Sequence, residues 1–112
     1  MRQAEIPETL GGIEIPMGER AWDRNEIRQV LAFGMKQGYI LLGGEVLTEV
    51  LDDSGDSWHY DPEWDGDFLR FSSENSRKSI EKAQEYIARY PDPKAFFTLT
   101  WVDALTGFLM AR

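Results

Sequence analysis

The feature that most limits the fold is a helical pattern closed by glycine and followed at once by a long aliphatic run. Asp23 can cap a helix N-terminus while Glu26 reaches back from the third position, and Trp22 and Ile27 are spaced as a hydrophobic staple. Ile27, Val30, Leu31 and Met35 recur at helical spacing, and Gly38 stands where a left-handed residue commonly ends a helix. These signals predict a helix over residues 23–37. Residues 39–51 are then aliphatic and β-branched apart from Gly43 and Gly44, which predicts a long strand bulged at the glycines.

The turn Asp52-Asp53-Ser54-Gly55-Asp56 bounds that strand, and residues 57–61 alternate after it. Trp58 and Tyr60 fall on one face, with Ser57, His59 and Asp61 on the other, so a hairpin is expected. Pro62 and Gly66 mark residues 61–73 as loop, with Trp64, Phe68 and Phe71 available to fold onto the core. A second helix runs from Ser73 or Asn75 to Arg89. Its stripe is Ile80, Ala83, Ile87 and Tyr90, its outer pairs are Glu74/Lys78 and Glu85/Arg89, and Pro91 and Pro93 stop it. Alternation resumes from Phe96 to Trp101 as a strand that can pair with the hairpin, before Gly107 opens an apolar tail. Residues 1–20, punctuated by Pro7, Gly11, Gly12, Pro16 and Gly18, read as an ordered arm with a short strand at 12–15.

The expected fold class is α+β: a small, mostly antiparallel sheet of three to four strands packed against two helices, in the order α-β-β-α-β. One sheet face is left for solvent or a partner. At 112 residues the chain forms one domain, and a hydrophobic content of 42% suffices for a core.

Charge distribution says more than net charge. The chain carries −8 at neutral pH, which disfavours nucleic acid and anionic lipid as partners and favours cationic ones. Between residues 45 and 67 stand Glu45, Glu49, Asp52, Asp53, Asp56, Asp61, Glu63, Asp65 and Asp67 with no Lys or Arg. This stretch reads either as a surface for a basic partner, anchored by Trp58, Tyr60 and Trp64, or as a solvated hairpin whose aromatics are core. At least one of Trp58 and Trp64 is expected in the core on either reading.

Enzymatic readings are weaker. With no cysteine there is neither a thiolate nucleophile nor a sulfur-ligated metal, and the chain suits a reducing cytosol. His59 is the sole histidine; paired with Asp61 it lacks the nucleophile that would complete a catalytic constellation. Asp52, Ser54, Asp56 and Glu63 fall at calcium-loop spacing, yet Ser57 replaces the required glycine and a strand pattern intrudes, so no metal or other cofactor is expected. Gly43-Gly44 followed by Glu45 matches no phosphate loop. No basic region with an apolar run marks a signal peptide at the N-terminus, and no stretch is long enough for a membrane helix.

Three motifs in order, Tyr39-Ile40-Leu41-Leu42-Gly43-Gly44-Glu45-Val46, Asp56-Ser57-Trp58-His59-Tyr60 and Ser79-Ile80-Glu81-Lys82-Ala83-Gln84-Glu85-Tyr86-Ile87, resemble the immunity protein 40 family of bacterial polymorphic toxin systems. The resemblance spans residues 27–102, with Glu45 in place of an aspartate and His59 inserted between Trp58 and Tyr60. It implies a non-enzymatic protein that neutralises a cognate toxin in the cytoplasm by tight binding. Combined with the charge, it nominates Glu49, Asp52, Asp53, Asp56, Trp58, His59, Asp61, Glu63 and Trp64 as the toxin-facing residues, with a basic nuclease cleft as their target. An acidic adaptor for another basic protein is the rival class.

Overall fold

At the first helix the capping signals are realised in full. In the computed structural model, which describes residues 6–16, 19–65, 68–69 and 72–103, helix α1 spans Arg24–Gln37 behind Asp23. The Asp23 carboxylate accepts from the N–H groups of Asn25 and Glu26 at 2.9 and 2.7 Å, and Glu26 accepts in return from the Asp23 N–H at 3.3 Å. Gly38 ends the helix at φ +75°, where a side chain would be strained. Helix α2, Ser73–Arg89, begins at Ser72, whose hydroxyl accepts from the Asn75 N–H at 3.0 Å. Its last carbonyls are held by Arg24, whose guanidinium donates to the backbone oxygens of Ile87 at 2.6 Å and Tyr90 at 2.7 Å. The first residue of one helix therefore caps the end of the other.

The sheet is larger than the residue pattern suggests. Strands β1 (Ile13–Glu14), β2 (Arg20–Asp23), β3 (Ile40–Leu47), β4 (Asp53–His59), β7 (Phe96–Thr98) and β8 (Thr100–Val102) form one six-stranded sheet of order β1-β2-β7-β3-β4, with β8 also paired to β3. Every pairing in it is antiparallel. The expected three to four strands are corrected to six, and the α-β-β-α-β order gains a leading pair. The arm supplies β1 and the first residue of β2, the rest of which lies between the arm and α1: β1 and β2 extend the sheet beyond β7, and Glu26 also accepts from the Gly12 N–H at 3.1 Å. A second correction concerns the 61–73 segment, where β5 (Trp64–Asp65) and β6 (Phe68–Leu69) form a separate two-stranded ribbon. Phe71 and the tail after Gly107 lie outside the described residues.

The alternating segment 96–101 becomes two strands laid end to end along β3. Phe97 faces Val46, and Thr100 faces Gly43, with a register shift between Leu41 and Gly43. The bulge thus falls at the glycine pair, and Leu99 breaks the partner strand opposite it.

Helices and sheet meet in one apolar layer. Trp22, Ile27, Val30 and Leu31 from the α1 side, Ile80, Ala83 and Ile87 from α2, and Leu41, Val46, Trp58, Phe97, Leu99 and Trp101 from the sheet form a single buried cluster. Burial of the larger of these side chains, all but Ala83, supplies about 2 kcal/mol each before entropy is counted. On the opposite face Glu45, Ser57, His59 and Thr100 are exposed around Gly43 and Gly44, whereas the cross-strand pair Ile40 and Val102 is buried. That face is open along β4 and closed at the far end of β3.

A polar seam joins α2 to β3. Buried Ser79 accepts from the Leu41 N–H at 3.0 Å and donates to the Ser76 carbonyl at 2.8 Å, while the Ser76 hydroxyl donates to the Tyr39 carbonyl at 2.6 Å. Ser79→Ala strands the Leu41 N–H away from water, so it is expected to cost about 2 kcal/mol. Chemical denaturation with an unchanged slope checks this.

Candidate binding surface

The carboxylates read from the sequence form a strip, and the geometry of β4 explains why. Seven residues of strand at about 3.3 Å each span roughly 20 Å, with Asp53 at the start of β4 and His59 at its end. Glu49, Asp52 and Asp53 gather at the turn between β3 and β4, Asp56 stands midway, and His59, Asp61, Glu63 and Trp64 follow at the far end. They are spread along the strand and its two ends rather than gathered at one point.

Their individual settings differ. Glu49 is paired with Lys94 at 3.5 Å. Asp53 turns its carboxylate back onto the Gly55 N–H at 2.8 Å. Asp56 accepts from the Tyr90 hydroxyl at 2.7 Å. Asp52 and Asp61 are exposed and have no side-chain hydrogen bond or ion pair among the described residues. His59 exposes its ring, while its carbonyl accepts from the Lys82 ammonium. The Glu63 N–H donates to Asn75 Oδ1 at 3.4 Å, beside the Tyr60 hydroxyl, which donates to the same oxygen at 2.8 Å.

The two tryptophans separate cleanly. Trp64 is 58% exposed on the ribbon, but Trp58 is only 6% exposed and faces the core, so its ring gives a partner no surface. It stacks on Tyr86 with centroids 4.8 Å apart and meets Phe97 edge-on at 6.5 Å. The physical reason is parity: Trp58 shares the helix-facing side of β4 with Asp56, while Ser57 and His59 face away.

Residues that sequence reasoning did not nominate border the strip. Lys82 and Tyr86 on α2 and Tyr90 just past its end, spaced four apart, each touch β4 or its side chains: Lys82 at the His59 carbonyl, Tyr86 at Trp58 and Tyr90 at Asp56. Their spacing was the available signal, but the strand they serve lies more than twenty residues away. The hydrogen bond to Asp56 is the first cause of a raised Tyr90 pKa, and burial is the first cause for Tyr86 and Tyr60. Each of these folded values is above the unfolded value of 10.0, so the stabilisation is whole below pH 10 and is lost as pH rises through the folded values. Tyr90→Phe is expected to flatten part of that alkaline decline, measured by thermal melts from pH 8 to about 11.

The calcium-loop spacing does not survive folding into a ring. Ser54 and Asp56 lie in β4, which extends them along a line, and among the described residues no group of three or more His, Cys, Asp or Glu side chains is placed to hold a metal ion. Likewise, among the described residues no helix is long and apolar enough to cross a membrane.

The three motifs singled out in the sequence meet in space. Leu41 of the first is bonded to Ser79 of the third, Trp58 of the second stacks on Tyr86 of the third, and a Cβ at Gly44 would lie 2.4 Å from the Trp58 ring. A profile of the family described as Immunity protein 40 matches residues 9–101. The chain belongs to the immunity protein 40 family. No curated protein and no solved structure matches it. In this member of the immunity protein 40 family the recognisable motifs build the joint between β3, β4 and α2, and the acidic strip runs along its exposed side, sharing Asp56 and His59 with the second motif.

Proposed function

We propose that this immunity protein neutralises a cognate toxin domain by stoichiometric binding in the cytoplasm, with the acidic strip along β4 occupying a basic cleft of a nuclease toxin. The match of the immunity protein 40 family over residues 9–101 carries the reading. A net charge of −8 supports a cationic target, because complementary fields speed encounter and a nucleic-acid cleft must itself be cationic. The contact residues are Glu49, Asp52, Asp53, Asp56, His59, Asp61, Glu63 and Trp64, with Asp52 and Asp61 carboxylates that no described residue engages. Trp58 supports the strip from beneath. No residue is assigned a catalytic role, since inhibition by occlusion needs none.

Co-expression with the toxin domain encoded beside the gene tests this. Protected growth, recovery of a one-to-one complex and loss of nuclease activity in that complex are expected. Unprotected growth with both proteins present contradicts the reading.

A further inference from the structure

The backbone of β4 offers a partner more than charge. It is the outermost strand of its sheet, and among the described residues no strand pairs with its free edge. Its register with β3 sets Gly43 against His59, Gly44 against Trp58 and Glu45 against Ser57. One residue on, the Tyr60 N–H donates to the Leu42 carbonyl at 2.9 Å. Hydrogen-bonded pairs alternate along an antiparallel ladder, so Trp58 bonds inward to β3 while Ser57 and His59 turn their N–H and C=O groups outward. The Lys82 ammonium on the His59 carbonyl confirms that direction.

Beside this edge lies a shelf. The stripe of Lys82 and Tyr86 on α2 with Tyr90 at its end is fastened to β4 at His59, Trp58 and Asp56. It borders a shallow groove of about 440 Å³. The cations around the groove are already engaged, Lys82 by the His59 carbonyl and Arg89 by Glu85 at 2.9 Å. Exposed Asp53 and Asp56 lie on the strand itself, and Asp52 and Asp61 flank its ends.

We infer that the free edge of β4 receives an extended, basic segment of the toxin as an added strand, which takes its main-chain bonds from the N–H and C=O of Ser57 and the N–H of His59 and lays alternate side chains on the Tyr86–Tyr90 shelf. Main-chain pairing supplies affinity in such additions and the side-chain shelf supplies selectivity. Charge chooses the occupant. A second copy would bring the same carboxylates edge to edge, whereas a cationic strand meets Asp53 and Asp56. The inference rests on the toxin-binding reading and goes further by naming the edge and the secondary structure of the partner.

Ser57→Pro is the test, because proline removes an outward N–H and is tolerated on an edge where that group faces solvent. The probe is the neighbouring toxin domain, inactivated in its own active site. Ser57→Pro is expected to melt within a few degrees of the parent yet bind on the order of 100-fold more weakly, with Ser57→Ala nearly unchanged. In the parent complex the Ser57 and His59 amides should exchange on the order of 100-fold more slowly than in the free protein. A folded Ser57→Pro that binds like the parent, or exchange at both amides unaltered by the toxin, overturns the inference and leaves toxin binding standing. If Ser57→Pro fails to fold, amide exchange in the parent complex decides alone. Protection that grows with the concentration of the free protein would place a second copy on the edge and overturn it too. A parent protein that binds no toxin removes the functional reading, and this inference with it, before any variant is made.

Discussion

Gly44→Ala is expected to lower the melting temperature by roughly 10 °C, the outcome of an overpacking cost of about 3 kcal/mol in a domain of this size. An added Cβ would sit 2.1 Å from the Thr98 carbonyl oxygen and 2.4 Å from the Trp58 ring. Neither neighbour can yield cheaply. Thr98 belongs to β7, and its hydroxyl accepts from the Glu45 N–H at 3.1 Å, while Trp58 is held between Tyr86 and Phe97. The glycine is thus demanded by close approach of a third strand and a ring, a requirement distinct from backbone freedom. A melt within a degree or two of the parent would show that the β3–β7 contact is looser than described.

Trp101→Ala is the second large effect, expected at about 4 kcal/mol because a nearly closed site loses most of an aromatic side chain. Trp101 is 2% exposed, meets Tyr39 edge-on at 5.9 Å and lies against Gly34 of α1 so closely that a Cβ there would be 2.1 Å from its Cζ3. The coupling between the two positions is itself diagnostic. Gly34→Ala should destabilise the parent through that clash, yet stabilise Trp101→Ala, where the clash is gone and alanine favours the helix by about 1 kcal/mol. Equal effects of Gly34→Ala in both backgrounds would refute the packing. Denaturant midpoints of the four proteins supply the cycle.

How much of this was legible depends on how local each cause is. Helix α1 could be read because its signals, Asp23 with Glu26 and then Gly38, lie within its own length. The glycine pair was legible as a bulge, but Thr98 and Trp58, which make Gly44 obligatory, arrive from other strands. The split of β7 from β8 escaped the alternating pattern for the same reason, since the bulge in β3 dictates where the partner breaks. β2 and the two strands of the β5–β6 ribbon are short elements, with too few residues for a period to emerge.

The site divides along similar lines. Its carboxylates are visible as composition, and parity placed Trp58 and Ser57 on opposite faces. Which face was core could not be read from β4 alone. Nor could the fact that Lys94 engages Glu49 and Tyr90 engages Asp56, because those partners come from beyond α2 or its end. What the described residues leave unengaged, Asp52 and Asp61, is a narrower nomination than the acidic stretch as a whole.

Those two side chains allow the most direct test, because reversing them disturbs no hydrogen bond or ion pair among the described residues. The measurement is the association rate of the inactivated toxin domain with the parent and with the Asp52→Lys, Asp61→Lys double variant, across ionic strength. For the parent the rate should fall steeply from about 0.05 to 0.5 M salt, and the double variant should associate at least 10-fold more slowly at low salt with a flatter dependence. Equal rates for the two proteins, insensitive to salt, would contradict the assignment of the acidic strip as the toxin-facing surface.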